Sequence, residues 1–196
     1  MKNTPPFLQI LTRIHTTTSV TIEKIKLLIE NEDLSASDDL YKFLNEIEDT
    51  LRRNNIAAYN EIALYRTKLL ASRTALDRRV PQKKFQLESV SLLLPNITQT
   101  LDEALKPIKD NIAKARGNIK NLVASAYPLN LVSEHESRGL NDLVIQFWSK
   151  VRIHEEFKMQ AKEISNALNQ RDVLILLTEE LIKIRKVHKT NLEGKK

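Results

Sequence analysis

Apolar residues recur every three or four positions along most of this chain of 196 residues, a spacing typical of the buried face of an amphipathic helix. The longest such stretch runs from Asp38 to Arg79 and contains no Gly or Pro. Ser35 and Asp38 form the pattern of a capping box, and Pro81 ends the periodicity. The spacing therefore predicts one uninterrupted helix over residues 38–79.

Three further segments carry the same spacing and predict an all-α fold. Pro95 and Pro107 lie within one of them, and interruptions are expected near both because an interior proline removes a backbone hydrogen bond. A polar run at residues 169–172 leaves open a break in the last segment. The predicted helices cover residues 5–31, 38–79, 82–127 and 133–188, and residues 189–196 are predicted to form a flexible basic tail.

The segments are similar in length and are joined by short polar turns, which is typical of an up-and-down bundle. Between Leu94 and Leu129 the apolar steps continue over about five heptads, as in a coiled-coil seam. A helix of roughly 40 residues is about 60 Å long, which exceeds the diameter of a compact domain of this size. We therefore predict a single elongated bundle of four to five long helices over residues 1–196, with coiled-coil-like seams.

The composition argues against several kinds of function. The chain has no Cys, which excludes disulfides, thiolate catalysis and Cys-ligated zinc. Its longest aliphatic runs are five residues, far below the roughly 20 that span a bilayer. The apolar run near the N-terminus is too short for a signal-peptide core. We expect a soluble, cytoplasmic protein, with export by another route left open.

The four histidines lack the spacing of known metal sites. None follows an acidic residue by three positions, as in di-iron bundles, and neither His135 nor His154 begins a His-Glu-x-x-His motif. Both lie beside glutamates and could act as acid–base groups, but ordinary helix surface is the favoured interpretation. No nucleophile elbow or phosphate-binding glycine loop occurs. We predict no enzyme, no metal and no cofactor, and no small-molecule substrate is evident.

Basic residues form clusters in a chain whose formal charge is +6. Arg52, Tyr59, Arg66 and Arg73 recur every seven residues beside the apolar stripe. They predict either a strip that binds phosphates or, as we favour, side chains that cover the core edge and pair with acids. Around Pro81, four basic residues form a cluster that we call the basic tip: Arg78, Arg79, Lys83 and Lys84. More lysines lie near the C-terminus, and for that second cluster a solvated helix end is the favoured explanation. The candidate anion-binding residues are Arg66, Arg73, Arg78, Arg79, Lys83, Lys84, Lys186 and Lys189.

Phe147 and the single tryptophan, Trp148, are neighbours and cannot point in the same direction from a helix. One of them is a candidate exposed anchor for a partner, since aromatic residues often dominate binding interfaces. The alternative, a helix buried on a wide face, is the more common arrangement.

These patterns favour a non-enzymatic structural or adaptor subunit that acts through protein–protein assembly, with another protein or with itself as a homo-oligomer. The alternative is a basic helical module that binds nucleic acid or an anionic membrane surface. Salt separates the two, because phosphate contacts weaken steeply as ionic strength rises whereas an apolar interface persists.

Overall fold

The computed structural model describes residues 6–74, 81–129, 131 and 139–193, and for residues 187–193 it describes the backbone alone. These residues form α-helices, one short 3-10 helix at Tyr127–Leu129 and no β-strand, which confirms the all-α prediction. The described residues contain seven α-helices rather than four to five. They are α1 Phe7–Glu30, α2 Ser35–Arg53, α3 Tyr59–Thr74, α4 Gln82–Ala126, α5 Leu140–Ile153, α6 Lys158–Ala167 and α7 Gln170–Glu193.

Contacts divide the chain into two compact units. The central unit comprises Gln9–Pro107, and the terminal unit comprises Met1–Leu8 together with Ile108–Lys196. The sequence of the central unit contains 14 basic and 14 acidic residues, whereas that of the terminal unit contains 17 basic and 11 acidic residues. The terminal unit therefore carries the whole formal net charge of +6.

The predicted continuous helix over residues 38–79 is wrong, because α2 ends at Arg53 and α3 begins at Tyr59. Asn55 has a φ of 55°, and the N–H of Ile56 donates to the carbonyl of Leu51 over 2.9 Å. This is a Schellman C-cap, in which asparagine tolerates the left-handed conformation better than most residues do. The part of the prediction over residues 75–79 lies outside the described residues.

The turn before α2 also differs from the predicted capping box. The helix begins at Ser35, whose backbone N–H donates to Asp33 Oδ1 over 2.8 Å. Hydrogen bonds from the Ser35 backbone and hydroxyl lower the pKa of Asp33. Asp38 instead forms an ion pair with Arg73, with 2.9 Å between the guanidinium and carboxylate atoms. Asp33 therefore caps α2, and Asp38 contributes to the packing of α3 on α2.

Helix α4 continues through Pro95 and Pro107, so the interruptions predicted there are not found. Each proline costs a helix interior about 3 kcal/mol. Apolar residues on both sides of Pro95 are buried, among them Leu94, Ile97 and Leu101. Burying each such side chain contributes about 1.5–3 kcal/mol, which offsets the cost of the prolines.

The predicted helix over residues 133–188 is divided into α5, α6 and α7. His154 leaves the helix with extended backbone angles, and its ring stacks on that of Phe157 with centroids 4.9 Å apart. The Asn169 carboxamide oxygen accepts the N–H of Asp172 over 2.8 Å, so Asn169 caps α7 and the break left open at residues 169–172 is found. Helix α7 extends to Glu193, beyond the predicted boundary at 188. The first part of this predicted helix, residues 133–138, lies outside the described residues.

Candidate partner-binding groove

A groove lies between α1 and α4 of the central unit and encloses about 730 Å³. Ile22 and Ile29 line it from α1, two helical turns apart on one face, and Leu94 and Pro95 line it from α4. The wall from Ser91 to Glu103 is about 18 Å long at 1.5 Å per residue. The groove therefore has an apolar lining and the length of about three turns of a helix.

The rim of this groove is predominantly acidic. Three carboxylates line it, Glu30 from α1 with Asp102 and Glu103 from α4, against a single ammonium group from Lys26. The carboxamide of Gln99 donates to Glu103 Oε1 over 2.8 Å. The described lining thus carries two more negative than positive charges, although the whole chain is basic.

Two backbone carbonyls of the groove lack their usual helical donor. In an α-helix the N–H of residue i donates to the carbonyl of residue i−4, and proline has no N–H. Pro95 therefore gives no bond to the Ser91 carbonyl, and Pro107 gives none to that of Glu103. Ser91 and Glu103 both line the groove. Two residues of the groove lining thus have backbone carbonyls without the helical N–H donor that a residue other than proline would supply.

The predicted arginine strip makes ion pairs within the central unit. Glu48 is 3% exposed, and it pairs with Arg52 of its own helix and with Arg66 of α3 at 3.2 Å. Arg66 also donates to the side chain of Asn45. A buried carboxylate requires such partners, because removing its charge from water without compensation is costly.

Arg73 contacts three side chains of α2. Its Nε donates to Ser37 Oγ over 3.0 Å, its guanidinium pairs with Asp38, and it lies 5.5 Å from the centre of the Tyr41 ring. Arg66 and Arg73 thus contact acids of the neighbouring helix, as in the favoured interpretation of the strip. Their alternative role as phosphate ligands stays a prediction.

The basic tip is only partly described, since Arg78 and Arg79 lie outside the described residues. Lys83 lies 3.7 Å from Glu32, and Lys84 lies 3.9 Å from Glu88. These exposed ion pairs are weak, so both ammonium groups are accessible to solvent. Near the C-terminus, Lys186 is exposed, and the side chain of Lys189 is outside the described part of the chain.

Phe147 and Trp148 are both buried, at 3% and 4% exposure. The candidate exposed anchor is therefore not present at either position. Helix α5 packs against both α6 and α7, so two adjacent directions of its surface are covered. The wide buried face accounts for both aromatic residues.

Asp172 connects the first helix to the last. Its Oδ2 accepts the backbone N–H of Phe7 over 2.8 Å and the carboxamide of Asn169 over 3.1 Å, and the Leu8 N–H is a further donor. Burial raises the pKa of Asp172, and the hydrogen bonds from Phe7 and Leu8 oppose that rise. Because the first N–H groups of a helix lack internal partners, this carboxylate caps α1.

Comparison with protein-family models, curated proteins and solved structures finds no significant match. Within the described residues, no cluster of His, Asp and Glu is arranged to hold a metal ion. No helix in the same part of the chain is both long and apolar enough to cross a bilayer. In the part of the chain that the structure describes, the α1–α4 groove is the candidate site for a partner. The sequence analysis did not find it, although Pro95 and the apolar positions of its lining were in view.

Proposed function

We propose that this protein is a non-enzymatic structural or adaptor subunit that assembles with another protein through the α1–α4 groove. The observation that carries the proposal is the open apolar groove of about 730 Å³ with a charged rim. Amphipathic helices bind in grooves of this kind, with apolar side chains on the floor and charged ones at the edge. Near the groove, Leu92 lies one turn before Pro95 and is 71% exposed, which extends the apolar surface available to a partner.

A photo-crosslinking amino acid at Gln99, which lines the groove, tests this proposal directly. The matched control carries the same amino acid at Lys42, an exposed residue of α2 that does not line the groove. We expect a protein to crosslink at position 99 and not at position 42. The partner's crosslinked segment, once purified, should bind the chain, and Ile29→Glu, at a half-buried residue of the groove lining, should weaken that binding at least tenfold. Equal crosslinking at both positions, or none at 99, would contradict the proposal.

A second candidate function rests on the uneven charge. The terminal unit holds the whole net charge of +6, and Lys114 and Lys120 are exposed on its part of α4. Such a surface suits nucleic acid or an anionic membrane. Fluorescence anisotropy of a DNA duplex at about 50 and 200 mM salt tests the nucleic-acid form. Binding that falls by orders of magnitude with salt, and is lost in Lys114→Glu/Lys120→Glu, would favour it over the groove.

A further inference from the structure

We infer that the partner segment bound in the α1–α4 groove is a basic amphipathic helix of another protein. This inference rests on the proposed function and adds the chemistry of the partner. The apolar lining residues Ile22, Ile29 and Leu94 suit the leucine or isoleucine face of a helix. The wall of about 18 Å matches a partner helix of about 12 residues.

The rim determines which charge the partner carries. Glu30 stands on the α1 wall and Glu103 on the α4 wall, so a helix lying between the walls has a carboxylate on each side. Lysine or arginine on both flanks of its apolar face would complement these carboxylates. On the α1 wall Glu30 stands with Lys26, so an acidic helix would meet its main excess of like charge on the α4 wall, at Asp102 and Glu103. Such repulsion excludes wrong partners.

The two prolines strengthen this preference. The carbonyls of Ser91 and Glu103 lack their usual helical N–H donors, and a carbonyl oxygen can accept only from a donor. Lysine and arginine side chains carry several N–H donors and no acceptor. Ammonium or guanidinium groups at both ends of the groove would therefore satisfy carbonyls that a carboxylate cannot.

The net charge of the chain makes this inference easy to test. The protein carries +6 overall, so unspecific electrostatics repel a basic peptide and attract an acidic one. Preference for a basic peptide would therefore have to come from a local acidic site. The groove is a described surface on which carboxylates and apolar side chains combine in this way.

Two designed helical peptides serve as probes, each of about 14 residues with leucines on one face. One has lysines on its flanks, and the other has glutamates at the same positions. Because the chain has no Cys, Thr98→Cys places a single fluorescent label in the groove of the full-length protein. We expect the Leu/Lys peptide to shift the fluorescence and bind at least tenfold more tightly than the Leu/Glu peptide.

Charge reversal in the groove provides the decisive comparison. Glu30→Lys/Glu103→Lys should lower the affinity for the Leu/Lys peptide by about tenfold and raise the affinity for the Leu/Glu peptide. Glu61→Lys/Glu88→Lys changes the net charge by the same amount at exposed residues outside the groove lining, and it should leave the preference unchanged. Thermal unfolding of both variants checks that the fold is retained.

The outcomes separate this inference from the function on which it rests. Equal binding of both peptides, no binding, or the same loss in both double variants would overturn the inference. If position 99 crosslinks to a neutral or acidic segment, the inference fails while the proposed function stands. If no protein crosslinks at position 99, the proposed function itself fails, whatever the peptides do.

Discussion

Replacing Asp172 by alanine tests whether one carboxylate holds the start of the chain against its last helix. Asp172 is 1% exposed, and it accepts backbone N–H groups from Phe7 and Leu8. Loss of a helix N-cap costs about 0.5–2 kcal/mol, and a hydrogen bond to a charged group contributes about 1.5–3 kcal/mol. Since the desolvation of the carboxylate offsets part of this, we expect Asp172→Ala to lower the free energy of unfolding by about 2.5 kcal/mol.

Thermal unfolding followed by circular dichroism measures this loss. For a chain of this length, about 2.5 kcal/mol corresponds to a fall in the melting temperature of roughly 5–10 °C. Asp142→Ala is the matched control, because Asp142 lies in the first turn of α5 and is exposed. It should cost no more than about 1 kcal/mol, the value of a helix-dipole interaction. Equal losses in the two variants would refute the capping role.

The pH dependence of this effect has a defined sign. Burial raises the pKa of Asp172 in the folded state above 3.8, its ordinary value and the one expected in the unfolded state. Between the unfolded-state pKa and the folded-state pKa, the folded protein therefore holds a proton that the unfolded protein has released. The part of the folding stability that depends on protonation of Asp172 is fully present below pH 3.8 and is lost as the pH rises through the folded pKa. The advantage of the natural protein over Asp172→Asn should therefore shrink from pH 3.5 to about pH 7. An advantage that grows over this range would contradict the raised pKa.

Substitutions at three further positions test the turns and the interior proline. Asn55→Ala should cost about 1 kcal/mol in thermal unfolding, because its φ is 55°, whereas Asn55→Gly should be neutral; equal effects would contradict the left-handed cap. Pro95→Ala should stabilise α4 by up to about 3 kcal/mol, and a loss of stability would refute this account. It should also lower the affinity for the Leu/Lys peptide, because alanine restores the N–H donor to the Ser91 carbonyl. The pKa of Asp33 is lowered in the folded state, so the natural protein should be more stable than Asp33→Ala above pH 3.8. This advantage should disappear as the pH falls through the folded pKa, and an advantage that persists at lower pH would argue against this cap.

Apolar periodicity was sufficient to predict the helical class, because each helix needs only a local pattern of three and four residues. It was not sufficient to predict where α2 ends, since Ile56 and Tyr59 keep the chain apolar across the turn. The signal was the Asn54-Asn55 pair, which favours the left-handed conformation without any Gly or Pro. Turns that depend on asparagine are thus hidden by a helical hydrophobic pattern.

The candidate site was less predictable than the fold. The sequence directed attention to Arg66 and Arg73, whose partners on α2 become visible only when the helices are packed. It also suggested an exposed aromatic residue, yet Phe147 and Trp148 are both covered. The groove depends on how far apart α1 and α4 lie, a distance that no local pattern encodes.

The pairing of Phe7 with Asp172 has a consequence for synthesis on the ribosome. A ribosome adds about 5–20 residues per second, so the start of α1 waits roughly 10–30 seconds for its cap to be made. The central unit is one continuous segment and can fold during this interval, whereas the terminal unit needs both ends of the chain. In a nascent chain stalled before residue 172, proteases should therefore cut at the start of α1, whereas the central unit should already resist cleavage.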